Sequence, residues 1–284
     1  MFRKRKLVID LDNCEGYRMS RSVRFVDSIT KLGPEFRGTV LVAGSHGGRY
    51  CGYLAALGGL RGVILNDAGV GKDNAGIGSL DYLQPLGIAA ATVSHSSARI
   101  GDGADTLERG ILSHCNEVAR SLGCVAGQAC WDVAAVMDNG EAYEGEPPPH
   151  EEGREVLMET PLRVIACDSA SLVVEGDEDA IIVTGSHGGS LAGRPGYGLA
   201  VKARGGVFND AGVGVDEAGV RRLRILDETG VPAVTVDAMT ARIGDARSAW
   251  ETGIVSHINV MATQQGVRVG MTIPEFADAI AASR

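Results

Sequence analysis

Six reactive side chains recur in this 284-residue chain: Ser45, His46, Asp67, Arg99, Asp102 and His114 reappear as Ser186, His187, Asp210, Arg242, Asp245 and His257. They sit in repeated strings. Gly-Ser-His-Gly-Gly occurs at Gly44 and at Gly185, Asn-Asp-Ala-Gly-Val-Gly at Asn66 and at Asn209, and Ala-Arg-Ile-Gly-Asp at Ala98 and at Ala241. Histidine beside carboxylates suits general acid–base work or activation of a hydroxyl nucleophile. An Asp67 carboxylate on a neighbouring strand would orient His46, which then acts as general base on water or on Ser45. Asp210 and His187 repeat that pair. Arg99 and Arg242 are the usual fork for an anionic group. The amides of Gly47, Gly48, Gly188 and Gly189 would form an oxyanion hole, with Asn66 and Asn209 beside them. His114 and His257 complete the catalytic candidates. No lysine is repeated among these groups, which argues against Schiff-base chemistry.

The same residues support other chemistries. His46, Asp67, Asp102 and His114 are a candidate ligand set for a divalent Zn²⁺, Mn²⁺ or Fe²⁺, although their spacing is scattered. Glycine loops and helix N-termini can bind an anion without catalysis. Paired acid and base groups would also suit an isomerase. Each residue has a structural alternative: Asp102 and Asp245 precede periodic segments and read as helix N-caps, as do Ser45 and Ser186, while the glycines suit tight turns.

The strings require elements to present them. Their separation is 143 residues for Asp67/Asp210 and His114/His257, and 141 for His46/His187, so the second half carries two extra residues within Leu191–Ala203. Such a period marks a repeated unit. The expected architecture is α/β: two tandem Rossmann-like parallel-sheet units related by internal duplication and a pseudo-twofold. The first occupies residues 1–137 with an N-terminal arm, its repeat beginning near 21. A Pro- and acid-rich linker spans 138–161, and the second unit occupies 162–284, its repeat ending near 280. Short apolar, β-branched runs at 38–44, 62–67 and 87–94 read as buried strands. SHGG, NDAGVG and ARIGD each follow one, at the carboxyl edge where open parallel sheets bind ligands. Leu107, Ile111, His114 and Val118 fall at helical spacing, as do Trp250, Ile254, His257 and Met261, which places both histidines on inward helix faces. His150, in the linker, is assigned no chemistry.

Composition narrows the class. With 44% hydrophobic and 22% charged residues the chain reads as globular. A net charge of −9 argues against nucleic-acid or anionic-membrane partners, which need a basic face. Arg3-Lys4-Arg5-Lys6 lacks the apolar core of a signal peptide, and no apolar run has membrane-spanning length. The six cysteines are scattered without CxxC spacing, which implies free thiols and a cytoplasmic setting.

Several local motifs fail. Gly-Val-Gly-Lys-Asp at Gly69 lacks the Ser or Thr of a phosphate loop, and Val215 stands where the first half has Lys72. Ser-His-Gly with Gln128-Ala129-Cys130 resembles caspase-like peptidases, but the second half has no cysteine opposite Cys130. Ser45-His46-Gly47-Gly48-Arg49 resembles, over those few residues, the strand-turn His-Gly-Gly of creatininase-type amidohydrolases. The halves differ at Ser94-His95-Ser96 against Asp237-Ala238-Met239 and at Arg49 against Ser190. The best expectation is a hydrolase of a small anionic molecule, favouring an amide or cyclic amide, with no cofactor or with a divalent metal. A homo-oligomer is a further expectation.

Overall fold

A computed structural model describes residues 22–283; the basic N-terminal cluster and Cys14 lie outside them. In the first half, β1 (Val23–Val26), β2 (Val40–His46), β3 (Gly62–Asn66) and β4 (Ala89–Val93) pair in parallel, and β5 (Leu112–Cys115) adds antiparallel to β4. Five helices accompany them: α1 (Arg49–Leu57), α2 (Gly78–Leu83), α3 (Gly103–Arg109), α4 (Glu117–Ser121) and α5 (Cys130–Met137). The second half has β6 (Arg154–Met158), β7 (Val164–Cys167), β8 (Ile181–His187), β9 (Gly205–Asn209), β10 (Ala233–Val236) and β11 (Val255–Ile258). Its helices are α6 (Arg222–Glu228), α7 (Ala246–Thr252), α8 (Val260–Gln264) and α9 (Ile273–Ala282). The fold is therefore α/β, with two Rossmann-like units whose sheets are mostly parallel.

The central strands are continuous apolar runs because both faces are covered. In the first half, Leu41, Val63 and Leu65 pack under α1 and α2, while Val40, Val42 and Ile64 pack under α3 and α5. Strand order follows the chain, β1-β2-β3-β4-β5 and β11-β10-β9-β8-β7-β6. Neither sheet reverses direction, so neither has the internal switch-point crevice of dinucleotide-binding folds.

Three expectations need correction. The sheets are not wholly parallel, since β5, β6 and β11 run antiparallel to their neighbours. Residues 138–161 are not all linker, because β6 lies within them. His114 and His257 lie on β5 and β11, not on helices. Helix α3 ends at Arg109 with Gly110 as its cap, and Ile111 is exposed, which breaks the proposed helical stripe. A four-residue strand is too short to reveal its alternation, and the 4-3-4 spacing was a coincidence of neighbouring elements.

The halves meet through reciprocal contacts. A Cβ on Gly69 would lie 2.8 Å from Gly212 Cα, and one on Gly212 would lie 2.8 Å from Gly69 Cα. Only glycine allows this approach, and both residues have positive φ, at 75° and 70°. The Lys72 amide donates to Ala238 O at 2.8 Å, and the Val215 amide to His95 O at 2.9 Å. Arg99 reaches Asp216, while Arg242 reaches Asp73. Each contact has its mirror at the equivalent position of the other half. Ala68, Ile100, Ala211, Ala218 and Ile243 fill the seam.

Candidate functional site

The seam brings strand-end loops of both halves together, and a cleft of about 460 Å³ opens between them. His46, Arg49 and the loop around Asn74 line it from the first half, and Asp168 and the segment Arg242–Asp245 from the second. His150 and Glu152, from the connection between the halves, close one side.

Strand β2 aims His46. Val42 pairs with Ile64 and His46 with Asn66, so extra residues at Gly44-Ser45 bulge out of the ladder. Bulges of this kind redirect side chains beside functional sites. The Gly48 amide donates to His46 Nδ1 at 3.1 Å. That bond leaves the imidazole proton on Nε2. Burial pushes His46 down to about 4, so the ring is neutral at physiological pH. It therefore offers the cleft an N–H donor rather than a basic nitrogen. His187 has the same bond from Gly189, at 3.1 Å, and is held well below the ordinary range, first by burial and then by Arg222 and His46.

The cleft also carries an unusually weak carboxylic acid. Burial, reinforced by the nearby Asp168 charge, raises the Glu152 carboxyl to about 7. Asp168 is fixed as a carboxylate acceptor by the amides of Ala246, at 2.9 Å, and Gly153, at 2.6 Å. Tyr50 and His150 form an adjoining aromatic wall with ring centroids 6.2 Å apart.

Of the other sequence candidates, Gly48, Arg242 and Asp245 also line the cleft, and the rest fall elsewhere. Ser45 Oγ accepts from the Ile29 amide at 2.9 Å, and Ser186 Oγ from that of Ala170 at 2.9 Å, so both hydroxyls pin the segment following the first strand of their parallel run. Asn66 and Asn209 donate to Ala98 O and Ala241 O, and accept from the amides of Ala68 and Ala211. They brace loops in which Ala68, Val70, Asp73 and Asn74, like Ala211, Val213, Asp216 and Glu217, have positive φ. Non-glycine residues held there cost about 1–3 kcal/mol each and cluster at functional sites. The glycine amides form no oxyanion hole. Gly47 and Gly188 donate to Asn66 O and Asn209 O, and Gly48 and Gly189 to the histidines.

Nor are the arginines open anion forks. Arg242 binds Asp245 with Nε and Nη2, and Asp73 with Nη1 at 3.0 Å. Arg99 binds Asp105 at 2.6 Å and also approaches Asp102 and Asp216. Both brace the two halves. Asp102 and Asp245 cap α3 and α7 as expected, accepting from the amides of Asp105 and Ser248. His114 and His257 line two separate clefts beyond α2 and α6.

Asp67 does not orient His46. Its Oδ1 takes His95 Nδ1 at 2.8 Å and the His95 amide at 2.9 Å. Burial opposes its charge, but the His95 hydrogen bonds hold its carboxyl below the ordinary value, while Asp67 in turn raises His95. Asp210 has only Ala238 opposite, and burial raises its carboxyl. The proposed metal set His46, Asp67, Asp102 and His114 is thus dispersed, and among the described residues no three His, Cys, Asp or Glu side chains are grouped to hold an ion.

The equivalent cleft at His187 is covered. Ser190 O packs against Gly101, the Ala192 amide donates to Gly101 O at 3.0 Å, and the Gly193 amide donates to Asp27 at 2.7 Å. The first half has α1 at this position. Beneath the covering loop, buried Arg222 donates to Gly189 O and Gly198 O. Sequence reasoning missed Glu152, Asp168 and Tyr50 and set His150 aside, because only the fold brings them to the cleft that His46 lines. Among the described residues no helix is long and apolar enough to cross a membrane. No protein family, curated protein or solved structure matches the chain.

Proposed function

We propose that the protein is a small-molecule hydrolase acting on a C–N bond, an amide or cyclic amide, in the cleft between its halves. The observation that carries this reading is the pairing, in one concave site, of a neutral His46 presenting Nε2–H with the near-neutral acid Glu152. The roles differ from those expected of the sequence. His46 donates to the substrate carbonyl oxygen and stabilises the charge that develops there, as neutral imidazoles can. Glu152, about half ionised near pH 7, takes a proton from water as it attacks the carbonyl carbon and returns it to the departing nitrogen. Water and amide become acid and amine with no proton left over. One chain supplies every group, so the reaction needs no second subunit. Free thiols at Cys51, Cys115, Cys124, Cys130 and Cys167 accord with a cytoplasmic enzyme.

The test is hydrolysis of a panel of linear and cyclic amides, followed by amine release, with wild type, Glu152→Gln and His46→Ala. Loss of the base should lower kcat by about 10²–10⁴. Loss of one preorganised donor should lower it by about 10²–10³. Turnover unaffected by either change would refute the assignment.

A further inference from the structure

Carboxyl groups outnumber guanidinium groups in the cleft. Among the described residues Asp81, Glu151 and Glu152 line it without a hydrogen bond or ion pair. Of the two arginines at the same cleft, Arg242 is engaged by Asp73 and Asp245, whereas Arg49 lies over the face of Tyr82, 5.3 Å from the ring centroid, without a hydrogen bond or ion pair among the described residues. An anionic ligand would meet three open carboxyl groups against the single unpaired guanidinium of Arg49.

The walls have a shape as well as a charge. Tyr50 and His150 form one side, and Tyr82 backs His150 with tilted rings whose centroids are 6.5 Å apart. Ile243 and Gly244 line the cleft from the other half, and Gly244, with φ of 81°, presents bare backbone. An aromatic side and a backbone side leave room for a flat group. An aromatic face beside carboxylates attracts a cation through both the ring quadrupole and direct charge.

We infer that this cleft selects planar cations, so that its substrate is an amide carrying an amidinium, guanidinium or protonated heterocyclic group. The inference rests on the hydrolase reading only for the word amide; the selectivity concerns binding to the resting protein. It replaces the anionic substrate that the two arginines suggest in the sequence.

Four probes separate the terms in a calorimetric titration of the full chain: benzamidinium, benzamide, benzoate and cyclohexylammonium. Benzamidinium should bind at least tenfold more tightly than each of the others. Tyr50→Leu should weaken benzamidinium by about 2- to 30-fold, the range of a cation–π contact. Asp81→Asn with Glu151→Gln, both at exposed positions, should weaken it without altering the melting temperature, which keeps the test independent of folding at Tyr50. Benzoate binding as tightly as benzamidinium, or benzamidinium failing to bind at about millimolar concentration, would overturn the inference. Benzamidinium binding in a protein that hydrolyses no amide would remove the hydrolase reading and leave this one. Hydrolysis of neutral amides without benzamidinium binding would do the reverse.

Discussion

His95→Ala converts the first half into a copy of the second at one decisive place. His95 faces Asp67, while Ala238 faces Asp210, and both backbones donate alike: His95 N to Asp67 at 2.9 Å and Ala238 N to Asp210 at 3.0 Å. The substitution therefore removes one bond, the 2.8 Å contact from His95 Nδ1, and keeps the backbone contact. A hydrogen bond to a charged group contributes about 1.5–3 kcal/mol, and a neutral one about 0.5–1.5 kcal/mol. The His95 side chain is 30% exposed, so the lower part of the first range applies, about 1.5 kcal/mol. The sign follows from the two shifts. His95 is raised, so its charged contribution is complete below its ordinary value of 6.5 and fades as pH rises through the raised value. Asp67 is lowered, so its contribution is present above its ordinary 3.8 and is lost as pH falls through the lowered value. The destabilisation by His95→Ala should thus be greatest between about pH 4 and 6 and shrink by about 1 kcal/mol towards pH 9. For a chain of this size that is about 2–4 °C in the difference of melting temperatures, readable by scanning calorimetry across pH. A difference between variant and wild type that does not change with pH would refute the argument.

Glu152 should leave its own mark on stability. Its folded value near 7 exceeds the ordinary 4.5, so the folded state loses stability as pH rises between those values, and Glu152→Gln should recover about 1–2 kcal/mol at pH 8 after allowance for its partial exposure. Thermal melts of the variant at pH 5 and pH 8 measure this, and an equal effect at both would contradict it. Ser45→Ala should lower stability by about 1–3 kcal/mol by stranding the Ile29 amide, while benzamidinium binding stays unchanged. Loss of binding without loss of stability would return Ser45 to the site.

The repeated strings made the architecture legible, because a buried strand ending in a polar loop is a local pattern that the chain writes out in full. Asp102 and Asp245 were likewise readable as caps, since the amides they accept lie three residues away. Partnerships across the seam were not readable. Nothing in the sequence says that Arg242 belongs beside Asp73 of the other half, and so the arginines read as open forks. Nor does local chemistry mark Glu152, an acid in an acidic connection, whose raised value comes from burial and from Asp168. His114 was misplaced because helical spacing across Gly110 imitated a continuous helix. The closest sequence clue to asymmetry was His95 against Ala238, whose consequence depends on Asp67 pointing toward it.

The loop Ser190–Gly193 fixes how many molecules one chain can hold. Each of the two Rossmann-like units places a histidine at the end of its second parallel strand, and with both of these positions open a protein of this kind would titrate with two equivalents of ligand. Here Ser190, Ala192 and Gly193 occupy the cleft over Gly101 and Asp27. The ligand proposed for the open cleft should therefore bind at one per chain. A binding isotherm should follow a single hyperbola, with no communication between halves to bend it.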